Sequence, residues 1–312
     1  MIISSVCRNV DINQIAVFKK IKIPIPGDVL LAKVASIGYY NSIEVANGKL
    51  RKIKVGDEIL VAQGNRYSTQ VHEVLVSNKD LILGSLGGVV GKSNEFLKHT
   101  KLKIIGYAQD KTGEIINLKK FAFLDIVSHN TNKTKVLLIL GSDMDSGKTT
   151  CAAYLAKKYS SRGNIVNYGK ITGTARLKDL LTVEKSGAKK IMDFTDCGFA
   201  STYKVNTEEL EKIIKKIYTK LSMGNPDYLI FEISDGILQR ETNVIIKSKF
   251  LNKFRPEVFF CCKDSLAVGE AKRFLKKNGL KISFVSGLVA NSILGIREVE
   301  NNFFIKCVNT KY

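Results

Sequence analysis

Residues 135–150 read KVLLILGSDMDSGKTT, and no other stretch constrains the fold as tightly. Val136 to Leu140 form a short unbroken apolar run, the pattern of a strand buried on both faces. Gly141 ends it. Ser142, Asp143, Met144, Asp145, Ser146, Gly147, Lys148, Thr149 and Thr150 follow, and Cys151 to Tyr159 reads as a helix. Strand, flexible loop, Gly-Lys-Thr and helix, in that order, make a phosphate-binding loop. A polyphosphate needs several backbone N–H donors turned inward, and glycine lets the backbone come close. The helix N-terminus adds a partial positive charge. Lys148 is placed to neutralise outer phosphates, and Thr149 to set its hydroxyl on Mg²⁺. The spacing departs from the common form by one residue: the first glycine is due at position 142, where Ser142 stands, and Gly141 precedes it. A glycine-bearing strand-to-helix turn with a solvated lysine is the competing reading. The agreement of strand, glycines, Lys-Thr-Thr and helix favours the phosphate loop.

The longer loop resembles that of dethiobiotin synthetase and its relatives, a branch of P-loop NTPases whose loop reads Gly-Thr-Asp, three residues, Gly-Lys-Thr. Gly141, Asp143, Gly147, Lys148 and Thr149 fit, with Ser142 in place of threonine. In the synthetase a lysine also ends the second strand and reaches the phosphates. Here a second apolar strand, Ile165 to Tyr168, leads to Gly169 and Lys170. A solvated Lys170 is the alternative. In the synthetase a glutamate at the end of a later strand, before a glycine-rich turn, helps bind Mg²⁺. The segment PDYLIFEISDG (226–236) places Glu232 there, ahead of Asp235 and Gly236. A carboxylate after Tyr228, Leu229, Ile230 and Phe231 is costly to bury unpaired, so a metal or a lysine is expected beside it. A second carboxylate would suit Mg²⁺, which takes few protein oxygens plus phosphate and water. Asp193 is preferred over Asp196 in IMDFTDCGFAST, with a plain polar turn before Gly198 as the competing reading.

The resemblance spans about 135–300 and implies ATP, with GTP the alternative, and Mg²⁺. The synthetase's substrate-binding residues are not found, because 173–190 and DGILQRET (235–242) depart from its pattern. The same branch includes molybdenum-cofactor accessory proteins and families with an added N-terminal domain, and the chain looks closer to those.

Beyond residue 135 apolar strands alternate with helical stripes. Strands are expected near 136–140, 165–169, 190–194, 227–232, 257–262 and 282–286. Helices are expected near 148–160, 207–222, 241–252 and 265–277. Asn206 can cap the second of these helices, whose Leu210, Ile213, Ile214, Ile217 and Leu221 form one core-facing stripe. The pattern predicts an α/β P-loop NTPase fold: a parallel sheet with helices on both faces and the ligand at the C-terminal strand ends. In P-loop relatives an asparagine just past the last core strand can read the nucleotide base, so the resemblance makes Asn291 a candidate reader, against an ordinary loop asparagine. Arg240 is a candidate for stabilising phosphoryl charge, against a surface pair with Glu241.

Residues 1–130 read as a mostly-β domain, a small barrel or sandwich, and 131–312 as the P-loop domain. Short apolar runs at 29–34, 42–45, 58–61, 71–76, 81–83 and 101–107 are separated by turn signals, including Asn47-Gly48. GNRYS (64–68) reads as a loop. Its Arg66 and Tyr67 either contact a ligand or the other domain, or form a turn whose tyrosine packs on the barrel. GSLGGVVGK (84–92) reads as a flexible turn or hinge, and SHNTNKT (128–134) as the domain boundary.

The formal charge of +20 raises nucleic acid as a partner. The excess is spread out, with 19 basic and 11 acidic residues in 1–134 against 30 and 18 beyond. Forty lysines against nine arginines further resemble genomic composition bias, since base readers lean on arginine. Nucleic acid is therefore disfavoured as the main partner. The N-terminus has no secretory pattern, no run approaches a membrane span, and the six cysteines show no Cys-x-x-Cys spacing. A cytoplasmic protein with reduced thiols is expected, and a homodimer is compatible. The leading function is an ATP- and Mg²⁺-dependent enzyme that activates a small acidic substrate by phosphoryl transfer, ligase- or kinase-like. Lys148, Lys170 and Arg240 would act on the transferred group, and Thr149, Asp193 and Glu232 would hold the metal. The alternative is a nucleotide-gated accessory or regulatory NTPase.

Overall fold

The computed structural model describes residues 1–20, 23–95, 97–123 and 134–311. The expected boundary over 128–134 lies, apart from Thr134, outside the described residues. By contacts the chain forms two compact units: unit 1 comprises 1–124, 174–178 and 194–204, and unit 2 comprises 125–173, 179–193 and 205–312. A single cut at 130/131 thus misses two short stretches from the second half of the sequence that belong with the first.

Unit 1 contains β1 (Ile2–Ile3), β2 (Val17–Lys19), β3 (Val29–Ser36), β4 (Ser42–Glu44), β5 (Leu50–Lys52), β6 (Glu58–Gln63), β7 (Ile82–Leu83), β8 (Val89–Gly91) and β9 (Lys101–Gln109). The order is β1-β6-β3-β9-β7-β8, and a further β6–β8 pairing closes the path on itself, so five strands make a small barrel. Closure removes the edges that an open sheet this small would expose. Leu30, Ile43, Ile59, Val61, Leu83, Val90 and Tyr107 fill its interior. The Asn47-Gly48 signal joins β4 to β5 as an antiparallel hairpin, with Gly48 at φ +80°. One expectation fails and another holds in part. Residues 71–76 form no strand, only isolated bridges from Val74 to Arg66 and Leu75 to Lys92. The glycine-rich 84–92 segment turns at 85–88, where Gly88 N donates to the Ser85 carbonyl, and then carries β8, so the turn reading holds and the hinge reading does not. Its glycines permit close approach: a Cβ on Gly91 would lie 2.4 Å from the Leu75 carbonyl oxygen.

Unit 2 is built on six parallel strands: β10 (Lys135–Gly141), β11 (Val166–Lys170), β12 (Lys190–Asp193), β13 (Tyr228–Glu232), β14 (Glu257–Cys261) and β15 (Ile282–Ser286). Their order is β12-β11-β13-β10-β14-β15. Strand β10, which leads into the 142–147 loop, is therefore interior, and its Val136 to Leu140 are buried. The helices are α1 (Lys148–Ser160), α2 (Leu177–Lys185, whose first two residues fall in unit 1), α3 (Thr207–Ser222), α4 (Arg240–Ile246), α5 (Lys249–Asn252), α6 (Leu266–Lys277) and α7 (Ile293–Phe303). The apolar stripe of α3 is buried as its spacing requires. Asn206 caps it, accepting from Glu209 N at 2.8 Å, an interaction worth about 1 kcal/mol. The helix expected over 241–252 is two, because Ser248 leaves helical geometry and caps the next turn through Leu251 N.

Candidate functional site

Paired residues on neighbouring strands point to the same side of a sheet. Lys170 at the end of β11 pairs with Asp193 on β12 and with Glu232 on β13. Three ionisable groups from three adjacent strands thus stand in one row at the C-terminal edge. The next strand is β10, and there Gly141 opens the loop.

The loop folds back on its own lysine. Lys148 is buried, and its Nζ donates to the Asp143 carbonyl at 2.7 Å and lies 3.4 Å from Ser146 Oγ. Gly141 leaves room for this, since a Cβ there would come within 2.9 Å of Lys148 Cδ. Gly147 sits at φ +98°, a conformation that glycine adopts without strain, immediately before α1. Burial holds the Lys148 ammonium below the ordinary lysine value, opposed by the nearby charges of Asp235 and Glu232. An ammonium so placed gains most from an added anion. Asp143 is fixed from β14's far end, where Lys263 meets its Oδ2 at 2.9 Å.

Glu232 is the hub. It is 1% exposed. Thr149 Oγ1 donates to its Oε1 at 3.2 Å, Tyr168 Oη to its Oε2 at 2.9 Å, and Ser234 Oγ lies 3.4 Å from Oε1. Lys170 Nζ stands 3.4 Å from Oε1 and 2.5 Å from Asp179 Oδ2. The lysine partner expected for a buried Glu232 is therefore present. Burial opposes the Lys170 charge, but Asp179 and then Glu232 outweigh it and hold the ammonium above the ordinary lysine value. Burial, then the charge of Glu232, raises Tyr168, which stays a phenol and a donor.

The fold separates the two candidate aspartates. Asp193 ends β12 in unit 2, buried beside Lys170 in register. Asp196 belongs to unit 1, where Arg8 Nη2 and Asn9 Nδ2 each reach its Oδ1 at 2.8 Å. Arg240 begins α4 and is engaged by Glu241 Oε1 at 2.7 Å and by the Val205 carbonyl, so the pairing reading of the sequence describes it. Arg240 itself is half exposed, while Glu241 is fully buried. Asn291 is exposed at the end of a single 3-10 turn, Leu288–Asn291. Met144, Asp145 and Thr150 complete the loop and first helical turn, with Asp145 and Thr150 exposed.

Sequence reasoning missed several members. Tyr168 was within reach, since it lies two residues before Lys170 on the same strand and so on the same face. Lys263 and Gly287 each lie just past a strand end, the position that defines this edge. A Cβ on Gly287 would sit 2.2 Å from the Ser146 carbonyl oxygen, and one on Gly236 2.5 Å from that of Ser142. Two glycines on separate strand exits thus clamp the loop between Gly141 and Lys148. The hydrogen-bonded Cys151 thiol, and then burial, raise the Cys261 thiol and keep it protonated. All six cysteines are free and buried. Among the described residues no helix is long and apolar enough to cross a membrane.

No family model and no curated protein matches the chain. Among solved structures it is similar to a nucleotide-binding protein from Archaeoglobus fulgidus in complex with ADP (13% identity, 57% of this chain and 82% of that one, TM-score 0.42). It is also similar to the signal recognition particle receptor FtsY from Elizabethkingia anophelis in complex with GDP (17% identity, 58% of each chain, TM-score 0.40). A third is the signal recognition particle 54 kDa protein from Aeropyrum pernix in complex with GDP (19% identity, 58% of this chain, 42% of that one, TM-score 0.40). The chain spans little more than half of the receptor's length and less than half of the 54 kDa protein's.

Proposed function

We propose that unit 2 binds a nucleoside triphosphate with Mg²⁺ at Gly141–Thr150 and transfers its terminal phosphoryl group to a small acidic substrate. One observation carries the reading: the Thr149 hydroxyl lies 3.2 Å from a buried carboxylate that also faces Lys170, one helical position from Lys148. Mg²⁺ fits this set, because hydroxyl and carboxylate oxygens are the hard donors it takes. No cluster of three or more His, Cys, Asp or Glu is found among the described residues, as suits an ion completed by phosphate and water. Thr149 and Glu232 would hold it, with Asp193 at the margin of the row; when bound, the ion would neutralise charge on the phosphates. Lys148 would exchange the Asp143 carbonyl for phosphate oxygens. Lys170, kept charged by Asp179 and Glu232, would meet the developing negative charge on the transferred group. Such catalysis rests on positioning and electrostatics, with no protein nucleophile. ATP is the preferred nucleotide and GTP the alternative. Asn291 is the proposed base contact, and Arg240 is proposed to act only after leaving Glu241.

The test is ADP release from MgATP in the presence of a panel of small carboxylates and amines. Stimulation by a member of the panel supports transfer. Hydrolysis that no small molecule accelerates, accompanied by a nucleotide-dependent change of shape in solution, would replace this reading with a nucleotide-gated accessory protein.

A further inference from the structure

Unit 1 holds a second polar cluster that the nucleotide site leaves unused. Arg66, from the GNRYS loop, is 9% exposed. Its Nη1 donates to the Tyr40 hydroxyl at 2.5 Å and to the Gly84 carbonyl, and its guanidinium lies 5.5 Å from the Tyr40 ring centre. No carboxylate pairs with it among the described residues, and its Nε and Nη2 edge makes no protein hydrogen bond there. A charge held this deep without a counter-charge is costly.

Two of the three histidines complete the cluster. His72 is 2% exposed, and its Nε2 lies 3.0 Å from the same Gly84 oxygen. A carbonyl oxygen only accepts, so Nε2 carries the proton and Nδ1 presents a bare lone pair. Burial, reinforced by Arg66 and His99, pushes His72 down to about 4, so this neutral tautomer is the form at pH 7. The His99 ring stands edge-on at 5.0 Å. His72 Nδ1 and His99 Nε2 are both enclosed and have no hydrogen-bond partner among the described residues. Each such atom costs about 1–3 kcal/mol, and native proteins retain few of them.

The chemistry of the three groups narrows the ligand. The open edge of a guanidinium matches two oxygens of an oxyanion. A metal cation is disfavoured by the adjacent Arg66 charge and by a donor set of only two imidazoles. A bare Nδ1 asks for a hydrogen donor. Taken together, an anion that keeps an O–H satisfies both needs. We propose that Arg66, His72 and His99 form a binding site in unit 1 for a small hydroxyl-bearing oxyanion of the hydrogen-phosphate or bicarbonate type. Arg66 takes two of its oxygens, and His72 Nδ1 accepts its hydrogen. Sulfate has the same shape as phosphate but no hydrogen at neutral pH, and would set an oxygen lone pair against that of Nδ1. Sites built on such a bond reject the analogue lacking it. The site stands whether or not unit 2 transfers phosphoryl groups.

With only His72, His99 and His129 in the chain, the full-length protein suits imidazole nitrogen NMR. Sodium phosphate, bicarbonate and sulfate are titrated separately at pH 7.5 while the His72 and His99 ring nitrogens are followed, which separates this site from phosphate bound at the loop of unit 2. Phosphate or bicarbonate should shift His72 Nδ1 saturably, with half-saturation at or below about 1 mM, and sulfate should bind about 10-fold more weakly or worse. Whichever of the two anions binds identifies the source. Arg66→Gln should weaken that binding about 10-fold or more. Absence of a saturable His72 shift with both anions in the wild-type chain overturns the site, and equal binding of sulfate and phosphate overturns the role given to His72.

Discussion

Gly287→Ala isolates the clamp on the phosphate loop. The new Cβ would stand 2.2 Å from the Ser146 carbonyl oxygen, 2.7 Å from that of Cys262 and 2.8 Å from Cys262 N. All three are backbone atoms, so no side-chain rotation relieves the overlap. Gly287 also sits at φ +98° and ψ −155°, a region essentially confined to glycine, where an alanine is strained by about 1–3 kcal/mol. Overpacking adds about 1–3 kcal/mol, for a total of about 2–6 kcal/mol. Gly279→Ala is the control: its φ is +74° and nothing lies within 4 Å of its Cβ position, so it puts an alanine at positive φ without the clash. Binding of a fluorescent ATP analogue and denaturant unfolding are measured on both variants. Gly279→Ala should lose about 1–2 kcal/mol of stability and keep wild-type nucleotide affinity. Gly287→Ala should lose more stability and bind nucleotide about 10-fold or more weakly, because the carbonyl it displaces belongs to the loop. Equal affinity in the two variants would refute the idea that Gly287 fixes the loop's shape.

Glu232→Gln keeps the shape of the hub but removes its charge. Affinity for MgATP should fall about 10-fold or more, while metal-free ATP loses less. Calorimetry with and without EDTA checks this, and equal losses would remove Glu232 from the metal site. His72 gives a pH signature. Its folded value of about 4 lies below the ordinary 6.5, so the native state binds fewer protons there and the stability it supports is lost as pH falls from 6.5 towards 4. The shift sets an upper limit of about 3 kcal/mol. Urea unfolding of wild type and His72→Gln across that window should show the steeper acid decline in wild type, and parallel curves would contradict it. Arg66, His99 and Tyr40 are the polar groups around this ring.

The parts of the site readable in the sequence were those set by local chain order. Strand, glycine, lysine and helix in 135–160 are consecutive, so the strand–loop–helix unit was readable from local order. Lys170 and Glu232 were readable because each ends an apolar run, and parallel strands align their ends. Contacts between strand exits were not readable. Asp179 reaches Lys170 from the first turn of α2, and Gly287 meets Ser146 across more than a hundred residues. Asp193 and Asp196 lie three residues apart in sequence but in different units, a division that no spacing rule announces. The glycines of 84–92 suggested flexibility, yet there they serve packing within the barrel. Helices α2 and α7 were not anticipated: α2 is only nine residues long, and α7 carries Arg297, Glu298, Glu300, Asn301 and Asn302 with a single buried residue, Val299.

Lys148 tests the central claim most directly. Calorimetric titration of MgATP and MgGTP into the wild-type chain and Lys148→Ala should show binding in the first, and a loss of about 100-fold or more in the second, since the proposal has the buried ammonium exchange the Asp143 carbonyl for phosphate oxygens. Undiminished binding by a folded Lys148→Ala chain would contradict the account and place the nucleotide somewhere other than 141–150.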